Sequence, residues 1–458
     1  MPIKQKWYNS DIIFRVIYSS DRAMFLLKFI LISCFFVFLL FYLFFIFDYL
    51  FRSLSDIHIY NKDFLQSYLL AKAVVEGVNP YLPLNKLAES FIDSPFFESY
   101  FPHPSPHTPF SIIIVLPLAF FTYDQSVILW FIFEIFCITI SVYLLLEWLI
   151  EKKTKFYLII IGTSFVLTLP PFWEGLQWGV MSSLILLLFA GIWKAIRYER
   201  PVLTGIFLGF SLAIKFMGWP IILFLLIVKK WLAILISVLV FIFCNLIAVF
   251  TMGLSSVINY YHVVGPMVES IYRSISINFS VWSIGWRIFE GSLSPDFMPG
   301  FNILPLFEIQ DLALYASILF LFLLILTGTI LAKRANDRDI SFGIFVCVSV
   351  LASPVTWLHY MMLLIIPLAI TGKYLFRSSL PLVKTVVLTV TIILFTLPSK
   401  LVFNFIAKFG FYHPETDKLI VPFATGLLTL WPLLISIFLI FLLYFSAKNN
   451  VRAFSFQK

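Results

Sequence analysis

Long apolar blocks follow one another from residue 25 to residue 446, parted by short polar segments. An aqueous domain has too little interior for so many blocks, whereas a bilayer-spanning helix asks for one block of about 20 apolar residues each time it crosses. Spans are expected at 25–47, 126–150, 156–172, 179–195, 202–215, 218–229, 231–252, 309–332, 340–352, 356–371, 379–398 and 424–446. Several are short, and short apolar segments are tolerated at membrane depth only when packed in protein or lining a cavity. Composition agrees: 61% of residues are hydrophobic and 12% charged, against about a quarter charged in soluble domains. The expected class is an all-α polytopic membrane protein of about 12 transmembrane helices, a single domain over 1–458. The block at 25–47 has no small-x-small cleavage site and reads as a retained anchor.

Charge orients the spans. With the N-terminus in the cytoplasm and 109–122 not crossing, the inner segments hold 20 of the Lys and Arg residues and the outer ones about ten, the bias expected of inside loops. Residues 109–122 are too short to span and are interrupted by Pro117. The protein is thus expected in the cell membrane with both termini cytoplasmic and with 48–125, 170–179, Lys215, 253–308, 353–359 and 399–423 outside. The net charge of +8 follows from these inner clusters, so no nucleic-acid partner is indicated. Cys34, Cys137, Cys244 and Cys347 lie in apolar runs without a C-x-x-C pair, which indicates neither a disulfide framework nor a metal site.

The outer segments collect the residues able to do chemistry. Asp63 precedes an apolar pattern at helical spacing (Phe64, Leu65, Tyr68, Leu69, Ala71, Val74, Val75) that ends at Gly77 and Asn79-Pro80, and is expected to open an amphipathic helix on the membrane surface. It is read as a general base for transfer to a hydroxyl; a helix N-cap is the alternative, and Asp56 and Asp48 are rivals. His103 and His107 sit in the stiff turn FPHPSPHTPF, for phosphate or sugar contact, structural hydrogen bonding or, least expected without a helix, metal. Lys215 interrupts apolar sequence, where an ionisable group is a functional hypothesis by default; it would hold a lipid phosphate or snorkel to the interface. Arg273 is a second phosphate candidate or a solvated surface residue. His359, in SPVTWLHY, joins the phosphate candidates. Tyr68, Glu174, Gln177, Trp178, Asn278 and Trp357 are candidates for sugar or acceptor contact. No P-loop, Rossmann fingerprint or HExxH occurs; no cofactor and no metal are expected.

Five stretches, in order, carry a family resemblance: DFLQSYLLAKAVVEGVNPY, the HPSPHTP turn, Gln-Trp-Gly at 177–179, Ile-Lys at 214–215 and Ser-Pro-x-x-Trp-x-His at 353–359. Together they resemble glycosyltransferase family 87. The resemblance implies a GT-C fold and a polyprenyl-phosphate-linked sugar donor used on the outer face. It also implies Asp63 as general base, Lys215 as a lipid-phosphate contact and His359 as the histidine of the Ser-Pro-Trp-His segment. The chain departs from the family after Gln-Trp-Gly, where Val180-Met181 replaces a common Gln or Asn. The expected partners are that donor, a lipid or cell-envelope glycan acceptor and the bilayer. The rival class is a transporter or flippase of lipid-linked sugars, against which stand the lack of inverted halves and the polarity of the outer segments; a non-catalytic relative is a third reading.

Overall fold

The computed structural model describes residues 40, 42–54, 59–60, 62–92, 101–150, 154–295, 301–309, 311–376, 390–391, 395, 397–412 and 418–455. Most of the expected spans at 25–47 and 379–398, and Asp56, lie outside them. The chain divides into two compact units, Met1–Arg52 and Ser53–Lys458. In the first, residues 42–52 are helical and Asp48 pairs with Arg52 at 2.9 Å.

The second unit is predominantly helical. Its main elements are α1 (Asp63–Val75), α2 (Leu84–Phe91), α3 (Pro109–Val115), α4 (Tyr123–Ile150), α5 (Phe156–Leu167), α6 (Pro170–Trp178), α7 (Ser182–Arg197), α8 (Pro201–Ile214), α9 (Trp219–Ile227), α10 (Trp231–Met252), α11 (Gly265–Arg273), α12 (Trp282–Phe289), α13 (Leu312–Ala335), α14 (Arg338–Ala352), α15 (Ile365–Phe376) and α16 (Trp431–Ser455). Among the described residues, α4, α10, α13 and Phe423–Ser446 are long and apolar enough to cross a membrane, while α5 and α6 qualify only as a pair bent by 81°. The bend falls where Leu169 meets Pro170-Pro171, because proline excludes the preceding residue from the helical region and offers no amide to the turn before it.

Of the other expected spans, 179–195, 202–215, 218–229 and 340–352 appear as α7, α8, α9 and α14, and 356–371 as a 3-10 turn (Leu358–Leu364) running into α15. All are shorter than a comfortable crossing, and burial matches length: every residue of α14 from Ile340 to Ala352 is buried, whereas α10 buries only Ala233, Ser237, Cys244 and Ala248 and turns Leu235, Leu239, Phe243 and Phe250 outward. The short α14 is enclosed by protein, as a segment of its length must be at membrane depth, and the long α10 presents apolar surface. Residues 109–120 form α3 and a 3-10 turn beginning at Leu116-Pro117, short as expected.

The all-α expectation misses one feature. β1 (Asn302–Ile303), β2 (Phe411–Tyr412) and β3 (Leu419–Val421) form a sheet in the order β1-β3-β2, with Asn302 opposite Ile420 in parallel and Phe411 opposite Ile420 antiparallel. Strands of two or three residues leave no alternation to read, yet this sheet joins the 253–308 and 399–423 segments.

The basic segments assigned to the inner side converge. Lys194 pairs with Glu147 at 2.7 Å, Arg197 pairs with Asp339 and lies over Trp148 and Trp193, Glu199 joins Lys230 to Arg338, and Lys373 donates to the Trp148 carbonyl at 2.8 Å. Five segments far apart in sequence thus meet at one charged layer, distinct from the residues considered below.

Close helix packing sets the position of α8. Gly205 and Gly209, one turn apart, face α10 so tightly that a Cβ would lie 2.6 Å from the Ala233 carbonyl oxygen and 2.7 Å from that of Ser237. This is the small-xxx-small device of membrane helices. Gly209→Leu is therefore expected to destabilise the detergent-solubilised protein by about 1–3 kcal/mol through overpacking, read as a fall in thermal unfolding temperature; an unchanged temperature would contradict this contact.

Candidate functional site

Asp63 is the first residue of α1. Lys62, extended, occupies the N-cap and makes no side-chain capping bond, and among the described residues the Asp63 carboxylate accepts no hydrogen bond. It is therefore not the cap of its own helix. The helix ends where expected, Gly77 taking φ +70, but it is not amphipathic: Phe64 through Ala71 are all buried, packed under α2, α3 and the turn after α3. The surface-lying helix expected from the apolar spacing is instead enclosed, which holds Asp63 firmly.

The residues on either side of Asp63 are clamped to α6 and α4. Lys62, 4% exposed, donates to the Gln177 carbonyl at 2.6 Å and to Ser53 Oγ at 3.2 Å. Phe64 stacks on Trp130 at 5.3 Å, whose indole donates to the Gly179 carbonyl at 3.0 Å. Gly179 ends α6 at φ +68, and a Cβ there would stand 2.8 Å from Phe64 Cβ. The Gln-Trp-Gly stretch is thus a turn whose backbone presses against the start of α1.

Residues 103–108 of the HPSPHTP segment are non-helical and are fastened at many points. Ser105 donates to Gln66 at 3.2 Å; His107 Nδ1 lies 3.2 Å from Ser67 Oγ; Tyr81 and Tyr260 donate to the carbonyls of His107 and Pro106. Thr108 caps α3 and sends its hydroxyl to the carbonyls of Ala213 and Ile214 at 2.7 and 2.9 Å. Those carbonyls are the orphan acceptors at the end of α8. The contact places the next residue, Lys215, beside the turn.

Lys215 is extended between α8 and a 3-10 turn, at a helix C-terminus where a cation is favoured. Its ammonium donates to the Tyr360 hydroxyl and lies 3.6 Å from the centre of that ring. Tyr360 meets His359 edge-on at 4.3 Å; His359 is 6% exposed and its Nε2 has no partner. Asp63 and Lys215 act on each other electrostatically, Asp63 acts on Tyr272 and Tyr360, and Lys215 acts on His107 and His359. Burial raises the Asp63 carboxyl to about 6 against the pull of Lys215. Burial lowers Lys215 to about 7 against the pull of Asp63. Burial, aided by Lys215, lowers His107 to about 4, so that imidazole is neutral at pH 7. One carboxylate, one ammonium, two imidazoles and two phenols thus form a single electrostatic group.

Other expected residues stand elsewhere. His103 donates from Nδ1 to the Pro104 carbonyl at 2.8 Å, which leaves Nε2 to accept from Tyr272 at 2.8 Å; Tyr272 then meets Trp357 edge-on at 5.8 Å. His103 and Trp357 therefore line the group through Tyr272. Arg273 turns away to Glu269 and lies over Trp282 and Trp286 at 4.7 and 5.8 Å. Tyr68 donates to the Phe121 carbonyl at 2.9 Å inside the α1 core. Glu174 accepts from Ser399 at 2.8 Å. Gln177 contributes its backbone carbonyl, and Trp178 is 37% exposed at the end of α6. Among the described residues no set of three His, Cys, Asp or Glu side chains is placed to hold a metal ion.

Sequence reasoning missed Lys62, Ser67, Tyr272 and Tyr360. Tyr360 adjoins His359 and Lys62 adjoins Asp63, so neighbourhood to a candidate was the available signal; Ser67 and Tyr272 had none.

Asn278 is a brace. It donates to the carbonyls of Arg273 and Pro354 at 3.0 and 2.9 Å and accepts from the amides of Ser280 and Thr356 at 3.0 and 2.9 Å, tying the segment after α11 to the Ser-Pro-Val-Thr-Trp break. Asn278→Ala leaves buried backbone groups unpaired at about 1–3 kcal/mol each. The expected result is a clear loss of thermal stability; an unchanged unfolding temperature with a raised acceptor KM would instead make Asn278 a ligand contact.

With the geometry in place, comparison with known proteins gives one match. The model of glycosyltransferase family 87 matches residues 106–354, more than half of the chain, a stretch that holds His107, Lys215 and Arg273; Asp63 and His359 lie outside it. No curated protein and no solved structure matches.

Proposed function

The chain belongs to glycosyltransferase family 87 and is a glycosyltransferase, and we propose that it moves one sugar, mannose or a pentose such as arabinofuranose, from a polyprenyl-phosphate donor to a lipid-linked or cell-envelope glycan. The reading takes the GT-C architecture of about 12 spans, a multi-pass place in the cell membrane, cytoplasmic termini and a site on the outer face. The observation that supports it is the gathering of one carboxylate and one ammonium in a single electrostatic group, Asp63 at the start of α1 and Lys215 after the end of α8 on Tyr360, beside His359.

Asp63 takes the proton of the acceptor hydroxyl as that oxygen attacks the anomeric carbon and the bond to the donor phosphate breaks. A single displacement inverts the anomeric centre and needs one carboxylate, because phosphate leaves without protonation. A base poised near the working pH is effective, and burial sets Asp63 at about 6. Lys215 meets the phosphate charge, and the unpartnered His359 Nε2 is free to join it. Neutral His107, held by Ser67, adds polarity without adding charge. Arg273, engaged with Glu269, is left to the rim of the site. The transporter reading gains nothing from this asymmetric cluster.

Two results test the assignment. Asp63→Asn is expected to abolish transfer from polyprenyl-phosphomannose or its arabinofuranosyl counterpart in membranes while leaving expression intact; a fully active variant removes Asp63 as base. For the wild type, kcat/KM reports free-enzyme groups. Below about 6 Asp63 is protonated and activity falls with falling pH; above about 7 Lys215 loses its charge and activity falls again. A narrow bell with its top between those limbs is expected. Since the two groups interact, the limbs belong to the pair; Lys215→Arg removes the alkaline one.

A further inference from the structure

Lys215 is fixed at both ends of its side chain. Its amide donates to the Ser211 carbonyl at 2.9 Å, and the two carbonyls before it take the Thr108 hydroxyl at 2.7 and 2.9 Å, so the backbone is set where α8 stops. At the far end of the stem the ammonium donates to the Tyr360 hydroxyl and stands 3.6 Å from the centre of that ring. Tyr360 itself has little freedom. It is 8% exposed, its amide donates to the Trp357 carbonyl at 3.1 Å, and every residue of the Leu358–Leu364 turn is buried. α6 presses on that turn at Gly175, where a Cβ would stand 2.6 Å from Met362 Cε and 3.6 Å from His359 Cβ.

The chemistry of the partner matters as much as its place. Among the described residues the Lys215 ammonium makes no ion-pair contact, and its hydrogen bond goes to a neutral phenol. A carboxylate in contact would cancel the charge and compete with an anionic ligand for it. A phenol holds a cation through its oxygen and the negative face of its ring and leaves the charge whole. An ammonium has three protons to give, so the bond to Tyr360 leaves donors for a ligand. A lysine stem is flexible and presents its charge at one place only when something holds the tip.

We infer that Tyr360 is the positioning residue for Lys215: its hydroxyl and ring face hold the ammonium in place without neutralising it, so that the charge is set for a donor phosphate before the donor binds. The consequence for the donor rests on the reading of Lys215 as a phosphate contact; the hold on the ammonium does not.

The test is a double-mutant cycle on the full-length protein in detergent, below pH 7, where Lys215 keeps its proton. The probe is polyprenyl phosphate, with the polyprenyl alcohol, which lacks the phosphate, as control. Tyr360→Leu is expected to weaken polyprenyl-phosphate binding about three- to thirtyfold, and Tyr360→Phe, which keeps the ring, about threefold or less. In a Lys215→Met background Tyr360→Leu then changes the dissociation constant less than about twofold, and the alcohol ignores both substitutions. Equal weakening by Tyr360→Leu in the two backgrounds overturns the inference, since it marks a tyrosine that touches the phosphate itself or only supports the fold. The second readout uses no ligand: Tyr360→Leu strands the ammonium, so it lowers the unfolding temperature more in the wild type than in Lys215→Met. If Lys215→Met binds polyprenyl phosphate as the wild type does, the phosphate reading of Lys215 falls. The hold by Tyr360 then stands if the unfolding effect depends on Lys215 and falls if it does not.

Discussion

A helix break inside an apolar bundle frees backbone carbonyls and amides that water cannot reach, and each must find a partner within the protein. That requirement organises the site. The end of α8 is closed by the Thr108 hydroxyl. The turn after α6 is closed by Lys62 and the Trp130 indole. The break after α14 is closed by Asn278 and by Trp282, whose indole donates to the Ala352 carbonyl at 3.1 Å. In each case the closing side chain belongs to a remote segment, and two of those segments are the polar loops at 101–108 and 274–281. Satisfying one break therefore recruits another irregular stretch, and the irregular stretches collect in one region.

Charge follows the same logic at larger cost. An unpaired ion buried in protein is far dearer than an unpaired amide, so buried ionisable residues must find one another. Asp63 and Lys215 influence each other electrostatically, as do Lys62 and Glu134, and Arg273 pairs with Glu269 one turn away on α11. Two of the pairs flank one peptide bond, between Lys62 and Asp63, and they differ in kind. Lys62 is bonded to Gln177 and Ser53 and has no freedom left. Asp63 and Lys215 retain a neighbour's field with few fixed bonds, the state in which a group can exchange a proton or a partner. The opposite end of the unit shows the contrast: Arg197, Glu199, Lys230, Arg338 and Asp339 neutralise one another in contact pairs.

Much of this was legible in the sequence because it depends on local chemistry. Apolar blocks gave the helices, Gly77 the end of α1, and Lys215 stood out as a cation in apolar sequence, whereas the break at Pro170-Pro171 falls inside the expected 156–172 span. Span length was less legible, since α14 and α9 read as apolar whether they cross a bilayer or lie sealed in protein; only packing separates the two. The enclosure of α1 was hidden for the same reason: its apolar spacing suited a helix lying on the membrane surface, but Gln66 and Ser67 bond to Ser105 and His107 of the proline turn. Asn278 and Tyr68 were candidates for sugar or acceptor contact, and nothing local distinguishes a side chain that bonds a sugar from one that bonds a backbone. Strands of two or three residues have no pattern at all.

The difference between a brace and a ligand contact lies in what remains after the protein has bonded itself. Asn278 has donor and acceptor both engaged, and Tyr68 gives its one proton to Phe121. A ligand could displace neither without leaving a buried backbone group bare. His359 Nε2 has no partner, and the Asp63 carboxylate accepts no bond among the described residues, so a ligand gains contacts there without costing the fold any. An open valence is not sufficient by itself. Arg287 on α12 also has Nε and one terminal nitrogen unpartnered, but it is sealed at 0% exposure and bonded to the carbonyls of Ser276 and Asn278 at 2.6 and 3.2 Å. Access separates the two cases: Asp63 and Lys215 are half-buried, whereas Arg287 is sealed. Open valence and access coincide where α1 starts and α8 ends, which is why the proposed chemistry is assigned there rather than to the other polar residues of the same loops.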